Sequence, residues 1–303
     1  MDNILTIRDL KVAFQVKGKL AYALDGINID IPKGKIVGIV GESGCGKSMT
    51  AMSIMGLIKN PGKIVGGSID FCGTELTKMS VRDYAKIRGK DISMIFQEPM
   101  TSLNPVVKVG KQVMEAIILH EKISKEEAKM RVIEIFNEVG IPEAEKRFNS
   151  YPHELSGGLR QIVMIGMAMI CKPKLLIADE PTTDLDVTIE AQILKLMKKL
   201  CESVGTSIIM ITHNMGVVAE ICDYVYVMYA GRVVESTLTK TLFNETAHPY
   251  TNGLLKSIPT IGKKQDRLYT IKGNVPNILN LPEGCRFVDR CDYAQDICFS
   301  SRP

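Results

Sequence analysis

The 303-residue sequence contains no run approaching the ~18 apolar residues that a membrane-crossing helix needs. The longest candidate, Ile162–Ile170, reaches about half that length before Lys172 and Pro173 close it. The opening MDNILTIRDL has no basic segment leading into an apolar one, so it does not read as a signal peptide. The chain is therefore expected to stay where it is made. No repeat at a fixed period and no heptad run appear, which sets aside solenoids and coiled coils. Excess charge is also scarce: 38 Lys and Arg face 34 Asp and Glu, a net +4. That surplus is too small for a nucleic-acid partner. A hydrophobic content of 45% and a charged content of 24% are ordinary for a globular protein. The length allows one large domain or two modest ones.

What is present is an alternation of strand and helix signals. KIVGIV (Lys35–Val40) is a short β-branched run leading into glycines, and Ser48–Ile58 has apolar residues at helical spacing. DISMIFQ (Asp91–Gln97), KLLIADE (Lys174–Glu180) and TSIIMIT (Thr206–Thr212) read as further strands, with a helix over Thr188–Cys201 between the last two. Strands alternating with helices indicate a mostly parallel, covered sheet. Tyr224–Ser236 reads as a late hairpin turning at Ala230–Gly231. The charged stretch Val107–Glu154 is helical in pattern and reads as an insertion between two sheet strands. Beyond about Ser236 the prolines 249, 259, 276 and 282 interrupt a small appended unit.

Gly41-Glu42-Ser43-Gly44-Cys45-Gly46-Lys47-Ser48 matches G-x-x-x-x-G-K-[ST] between a strand and a helix. Glycines let backbone N–H groups curl round a phosphate, and the helix start adds partial positive charge. Lys47 is expected to reach the β and γ oxygens and Ser48 to hold Mg²⁺; Met49 follows in the same helix start. Cys45 is either a small filler or a thiol with lowered pKa at a helix N-terminus. The strand LLIAD ends in Asp179, which places a carboxylate beside the metal, and Glu180 follows as the candidate general base. A second glycine-led helix start, ELSGGLRQ (Glu154–Gln161), lies more than a hundred residues downstream.

With these pieces in order, the chain resembles the ATP-binding subunits of ABC transporters. LSGGLRQ is similar to their signature motif LSGGxxQ. The resemblance implies a head-to-tail dimer in which Ser156, Gly157 and Gly158 of one chain cap the γ-phosphate held by the phosphate loop of another. Gln97 in IFQEP resembles the Q-loop glutamine that touches the metal and the attacking water. Asp186 in TTDLD resembles the D-loop, with Asp184 where the family more often has Ala. His213 in MITHN resembles the switch histidine at the γ-phosphate. Phe14 or Tyr22, with Phe14 preferred, is expected to stack on adenine. Ile162 stands where the family often has Arg, which removes a local salt bridge. The fold so implied is α/β: a P-loop NTPase (RecA-like) core with an N-terminal β-rich part, an inserted α-helical subdomain and a small C-terminal extension. Residues 1–235 would form the ATP-binding domain, with the helical subdomain at about 100–160, and residues 236–303 the extension.

EPMTSLNP and HPYTNGLLKSIP resemble the oligopeptide and dipeptide importer branch, as does the tail CRFVDRCDYAQDIC. Cys285, Cys291 and Cys298 put three soft ligands on one short segment, which suits an iron–sulfur cluster or zinc; alternatively they pack the tail. The resemblance implies a structural [4Fe–4S] cluster whose fourth cysteine would lie beyond Pro303, unless another ligand completes it. Expected partners are transmembrane permease subunits, a second ATP-binding subunit, identical or homologous, and indirectly an extracytoplasmic peptide-binding protein. The expected location is the cytoplasmic face of the membrane. The expected activity is ATP hydrolysis powering import of dipeptides or oligopeptides. An importer of another solute such as nickel is the nearest alternative. A DNA-repair or chromosome-type ATPase would need long coiled coils, and a translation-associated tandem ATPase would need a second cassette.

Overall fold

The structure is a computed structural model and describes residues 2–97, 102–183, 185–258 and 269–302. The chain forms two compact units, each assembled from discontinuous segments.

The first unit comprises Met1–Ile4, Pro32–Ile36 and Met79–Met210. Its strands are β6 (Ile92–Ile95), β7 (Leu175–Asp179) and β8 (Ser207–Thr212), with β7 in the middle. β6 and β7 are parallel, in register from Ile92 opposite Leu175 to Ile95 opposite Ala178. Every residue of all three strands is buried. This is why they appear in sequence as unbroken apolar runs rather than alternating ones. Between β6 and β7 the α-helices Val109–Ile118, Lys125–Glu138 and Ala144–Arg147 fall within the stretch expected to be helical, and Gly157–Met169 follows beyond it. The second of these buries Ala128, Val132, Ile135 and Phe136, one stripe of a 3.6-residue period. Ser80, Ser124, Ser156 and Asp186 each stand at a helix N-cap with the side-chain oxygen accepting a backbone N–H three residues on.

The second unit comprises Leu5–Ile31, Val37–Lys78 and Ile211–Pro303. One sheet has the order β2-β1-β4-β5, from β1 (Asn3–Val16), β2 (Lys19–Pro32), β4 (Gly62–Phe71) and β5 (Thr74–Glu75). β1 and β4 are antiparallel, and their register shifts between Arg8 and Lys11, where Asp9 has φ 45°. The other strands are β3 (Ile36–Val40), parallel to β9 (Tyr224–Tyr229), and β10 (Arg232–Leu238), which closes the expected hairpin on β9. The helix after the phosphate loop runs only over Lys47–Ile54. It stops short of the expected Ile58 because Gly56 turns the backbone left-handed at φ 61°.

The C-terminal part of this unit packs on an aromatic cluster. Tyr229, Tyr250 and Phe287 have ring centroids 4.7 to 5.4 Å apart. The stretch His248-Pro249-Tyr250 opens the helix Pro249–Lys256. Proline suits the first helical turn, and His248 Nδ1 caps it by accepting the Tyr250 N–H at 3.1 Å. Only an unprotonated Nδ1 can accept. Burial holds the His248 pKa below the ordinary 6.5, against the opposing charge of Glu235. A base whose pKa is depressed on folding binds its proton more readily when unfolded. Its contribution is therefore intact above about pH 6.5 and is lost as the pH falls from there toward the folded pKa. Thermal melts between pH 8 and 5 are expected to show this loss, worth about 1 kcal/mol for a cap, and His248→Asn is expected to flatten it. An unchanged pH dependence in the variant would contradict the assignment.

Candidate functional site

The phosphate loop lies in the second unit. Gly41, Gly44 and Gly46 have φ of 148°, 79° and 112°, values that carry steric strain for any residue with a Cβ. At Gly41 a Cβ would also stand 2.2 Å from the Met228 carbonyl oxygen, whereas Gly44 opens onto clear space. Lys47 is only 5% exposed. Its Nζ donates to the Gly41 carbonyl at 2.7 Å and the Glu42 carbonyl at 3.2 Å. The ammonium is thus held in place before any ligand arrives. Ser43, Gly44 and Ser48 are exposed and Met49 is half-buried. An open glycine edge, a fixed cation and a helix start fit a nucleotide triphosphate with its divalent cation. Cys45 is fully buried, and burial raises its thiol pKa despite the charge of Lys47. The filler reading holds, and the lowered-pKa alternative is corrected: desolvation of a thiolate outweighs the nearby cation.

The same unit carries His213, exposed at the end of β8 just before Asn214, whose side chain caps the helix Met215–Ile221. Phe14 is half-buried on β1 opposite Gly62, where a Cβ would meet its ring at 2.6 Å. A side chain at 62 would displace the ring.

In the first unit, Asp179 ends β7 at 3% exposure. Glu180 follows with φ 49°, the left-handed region that non-glycine residues seldom occupy. This turn carries its carboxylate away from the strand, and Oε2 accepts hydrogen bonds from Gln97 Nε2 at 3.0 Å and Thr183 Oγ1 at 3.2 Å. Two residues read separately from the sequence as base and water-positioning group are therefore brought into direct contact. Strain at a residue held by its neighbours is a common mark of a working position.

Ser156 caps the helix Gly157–Met169, its Oγ accepting the Leu159 N–H at 3.4 Å. Ser156 and Gly157 are exposed. At Gly157 a Cβ would meet nothing within 4 Å, while at Gly158 it would come within 2.9 Å of Ile189. Gly158 is thus required by its own unit, and Gly157 leaves room for something outside it. Gln161, 1% exposed, donates from Nε2 to the Pro181 carbonyl at 2.7 Å, tying this helix to the turn after Glu180. Asp186 caps the helix Val187–Val204. Asp184 and Glu98-Pro99, read above as D-loop and Q-loop neighbours, lie outside the described residues.

Cys285, Cys291 and Cys298 are near one another, yet among the described residues no group of three or more His, Cys, Asp or Glu side chains is arranged to hold a metal. The structure therefore lends the iron–sulfur or zinc reading no support. The segment closes on its backbone instead, with Cys285 N–H donating to the Cys298 carbonyl at 2.8 Å. Burial, with the other two thiols nearby, pushes the Cys285 thiol pKa up. What the sequence reading missed is the arginines between these cysteines. Arg290 forks onto the Glu42 carboxylate at 2.7 and 3.0 Å. Arg286 reaches Asp25 at 2.5 Å and the Ala230 carbonyl. Asp25 also accepts from Arg232. Burial opposes ionisation of Asp25, but these arginines outweigh it and hold the carboxyl below its ordinary pKa. Burial lowers the Arg286 pKa to about 10.

Residues 24–183 match the family described as ABC transporter. Residues 234–298 match one described as oligopeptide/dipeptide transporter, C-terminal region. The chain is 53% identical over 304 residues to the oligopeptide transport ATP-binding protein AppD of Bacillus subtilis (strain 168), spanning 100% of this chain and 93% of that protein. It is 49% identical over 302 residues to the oligopeptide transport ATP-binding protein OppD of Escherichia coli (strain K12), spanning 100% and 89%. Among solved structures, the dimeric post-hydrolysis ATP-binding cassette MJ0796 bound to ADP and Pi aligns at TM-score 0.70 and 26% identity, over 78% of this chain and 98% of that one.

Proposed function

We infer that this chain, which belongs to the ABC transporter family and carries that family's oligopeptide/dipeptide C-terminal region, is the ATP-hydrolysing subunit of an importer for short peptides. It is an ATPase. The phosphate-loop amides and Lys47 bind the β- and γ-phosphates, and Phe14 stacks on the adenine. Mg²⁺ held by Ser48, Gln97 and Asp179 would neutralise charge on the phosphate oxygens. Glu180 takes a proton from the attacking water, Gln97 orients that water, and His213 reads the γ-phosphate. Ser156, Gly157 and Gly158 cap a triphosphate held by a second ATP-binding chain, so that nucleotide strengthens the pairing and hydrolysis releases it.

The observation that carries this reading is the Gln97–Glu180 hydrogen bond at 3.0 Å, which supports assigning that carboxylate and that amide to one attacking water. No helix among the described residues is long and apolar enough to cross a membrane. In this reading the pore belongs to permease subunits, and the chain works at the cytoplasmic membrane face. The division that goes with it is an ATP-binding domain over residues 1–235 and an extension over 236–303. The test is transport by vesicles holding the chain with the permease subunits that co-purify with it. Uptake of short peptides that needs ATP and is lost on Lys47→Ala is expected. Uptake of Ni²⁺ but not of peptides would overturn the substrate assignment.

A further inference from the structure

The phosphate loop contains an acidic residue. Glu42 sits at its first variable position, where a carboxylate disfavours an incoming polyanion. Every polar group of this residue is engaged within its own unit. Its N–H donates to Tyr250 Oη at 2.8 Å. Its carboxylate accepts both arms of the Arg290 guanidinium at 2.7 and 3.0 Å. Its carbonyl accepts from Lys47 Nζ at 3.2 Å and from the Cys45 N–H at 3.2 Å.

Two of those partners come from the C-terminal part of the chain, which the sequence marks with HPYT and with a cysteine-rich tail. Both are held tightly. Tyr250 is fully buried in the Tyr229–Phe287 cluster. The Arg290 side chain is 5% exposed, and Arg290 also donates to the Lys272 carbonyl at 2.8 Å and to Tyr229 Oη at 3.3 Å. Arg286 pins the same tail to Asp25, and the Gly231 N–H reaches the Cys45 carbonyl at 2.8 Å. A bidentate, buried guanidinium fixes its carboxylate in position and cancels its charge.

We propose that the C-terminal extension braces the phosphate loop: Arg290 and Tyr250 are positioning residues that hold and neutralise Glu42, and through its carbonyl set Lys47 for the triphosphate. The inference rests on the ATPase reading and deepens it. It gives the HPY stretch a physical role, since His248 and Pro249 start a helix through which Tyr250 reaches the loop. It also gives the tail a role that needs no metal.

The test is Mg·ATP affinity of the full chain, by calorimetry, at low and high salt. Arg290→Met leaves Glu42 charged and unpaired, and is expected to weaken binding roughly tenfold at low salt, the size of one poorly screened charge near a polyanion. The penalty is expected to shrink as salt rises. Adding Glu42→Gln to Arg290→Met is expected to recover most of the loss, because the repelling charge is gone. A packing role alone gives neither salt dependence nor recovery. Tyr250→Phe keeps the ring cluster and removes one hydroxyl, so it reports even where Arg290→Met fails to fold. A rise of about threefold in Kd is expected from the lost hydrogen bond. Unchanged affinity in Tyr250→Phe, or a double variant no tighter than Arg290→Met, would overturn the brace. Failure of the unaltered chain to bind Mg·ATP would instead contradict the ATPase assignment beneath it.

Discussion

Glu180→Gln is expected to bind Mg·ATP normally, to lose hydrolysis by ~10²–10⁴-fold, the usual worth of a positioned general base, and to accumulate as a nucleotide-bridged pair. The substitution is nearly isosteric. Its amide oxygen can still accept from Thr183 Oγ1 and Gln97 Nε2, which now donate to Glu180 Oε2 at 3.2 and 3.0 Å. The strained turn at φ 49° therefore keeps its supports, and what disappears is the capacity to take a proton. Binding survives because Lys47 is held by the Gly41 and Glu42 carbonyls, with no help from Glu180. Single-turnover hydrolysis and sedimentation with Mg·ATP check both halves. Turnover near the unaltered rate would refute the base assignment.

Ser156→Arg is expected to abolish hydrolysis, more than ~10²-fold as for loss of transition-state contacts to a developing anion. Mg·ATP affinity of the isolated chain is expected to stay unchanged. Ser156 and Gly157 are exposed and nothing of their own unit lies over Gly157. A bulky cation there meets resistance only when another surface approaches. The variant also loses the Oγ cap on the Leu159 N–H, at a cost of about 1 kcal/mol. Ser156→Ala shares that loss without the bulk and separates the two effects in hydrolysis assays. If Ser156→Arg abolished ATP binding by the single chain, the cross-chain role would be wrong.

Much of this is legible in the sequence. β7 and β8 were readable because both faces are buried, so LLIAD and SIIMIT stand out as continuous apolar runs. The phosphate loop was readable because its chemistry demands particular residue types at fixed spacing. Gln97 and Glu180 were readable singly. Their contact, 83 residues apart in sequence, belongs to the packing of β6 beside β7. The long strands β1 and β2 enter only as the β-rich start that the family resemblance implies; a bulge at Asp9 breaks the alternation that marks a half-buried strand. The cysteine spacing shows that three soft ligands are close in sequence, which does not by itself arrange their side chains round a metal. The Arg290–Glu42 pair, 248 residues apart, left no local signal: each looks like an ordinary surface charge until the fold buries the arginine.

The most direct measurement is the attachment site of a photoreactive group carried on the γ-phosphate of ATP. It is made in an assembled importer that pairs this chain with one further ATP-binding chain, with hydrolysis blocked by Glu180→Gln. Attachment to Ser156–Gly158 of this chain is expected to persist when the same chain also carries Lys47→Ala, because the nucleotide under that loop is held by the other chain. Loss of the attachment on Lys47→Ala, with the other chain unaltered, would contradict a nucleotide shared between two chains.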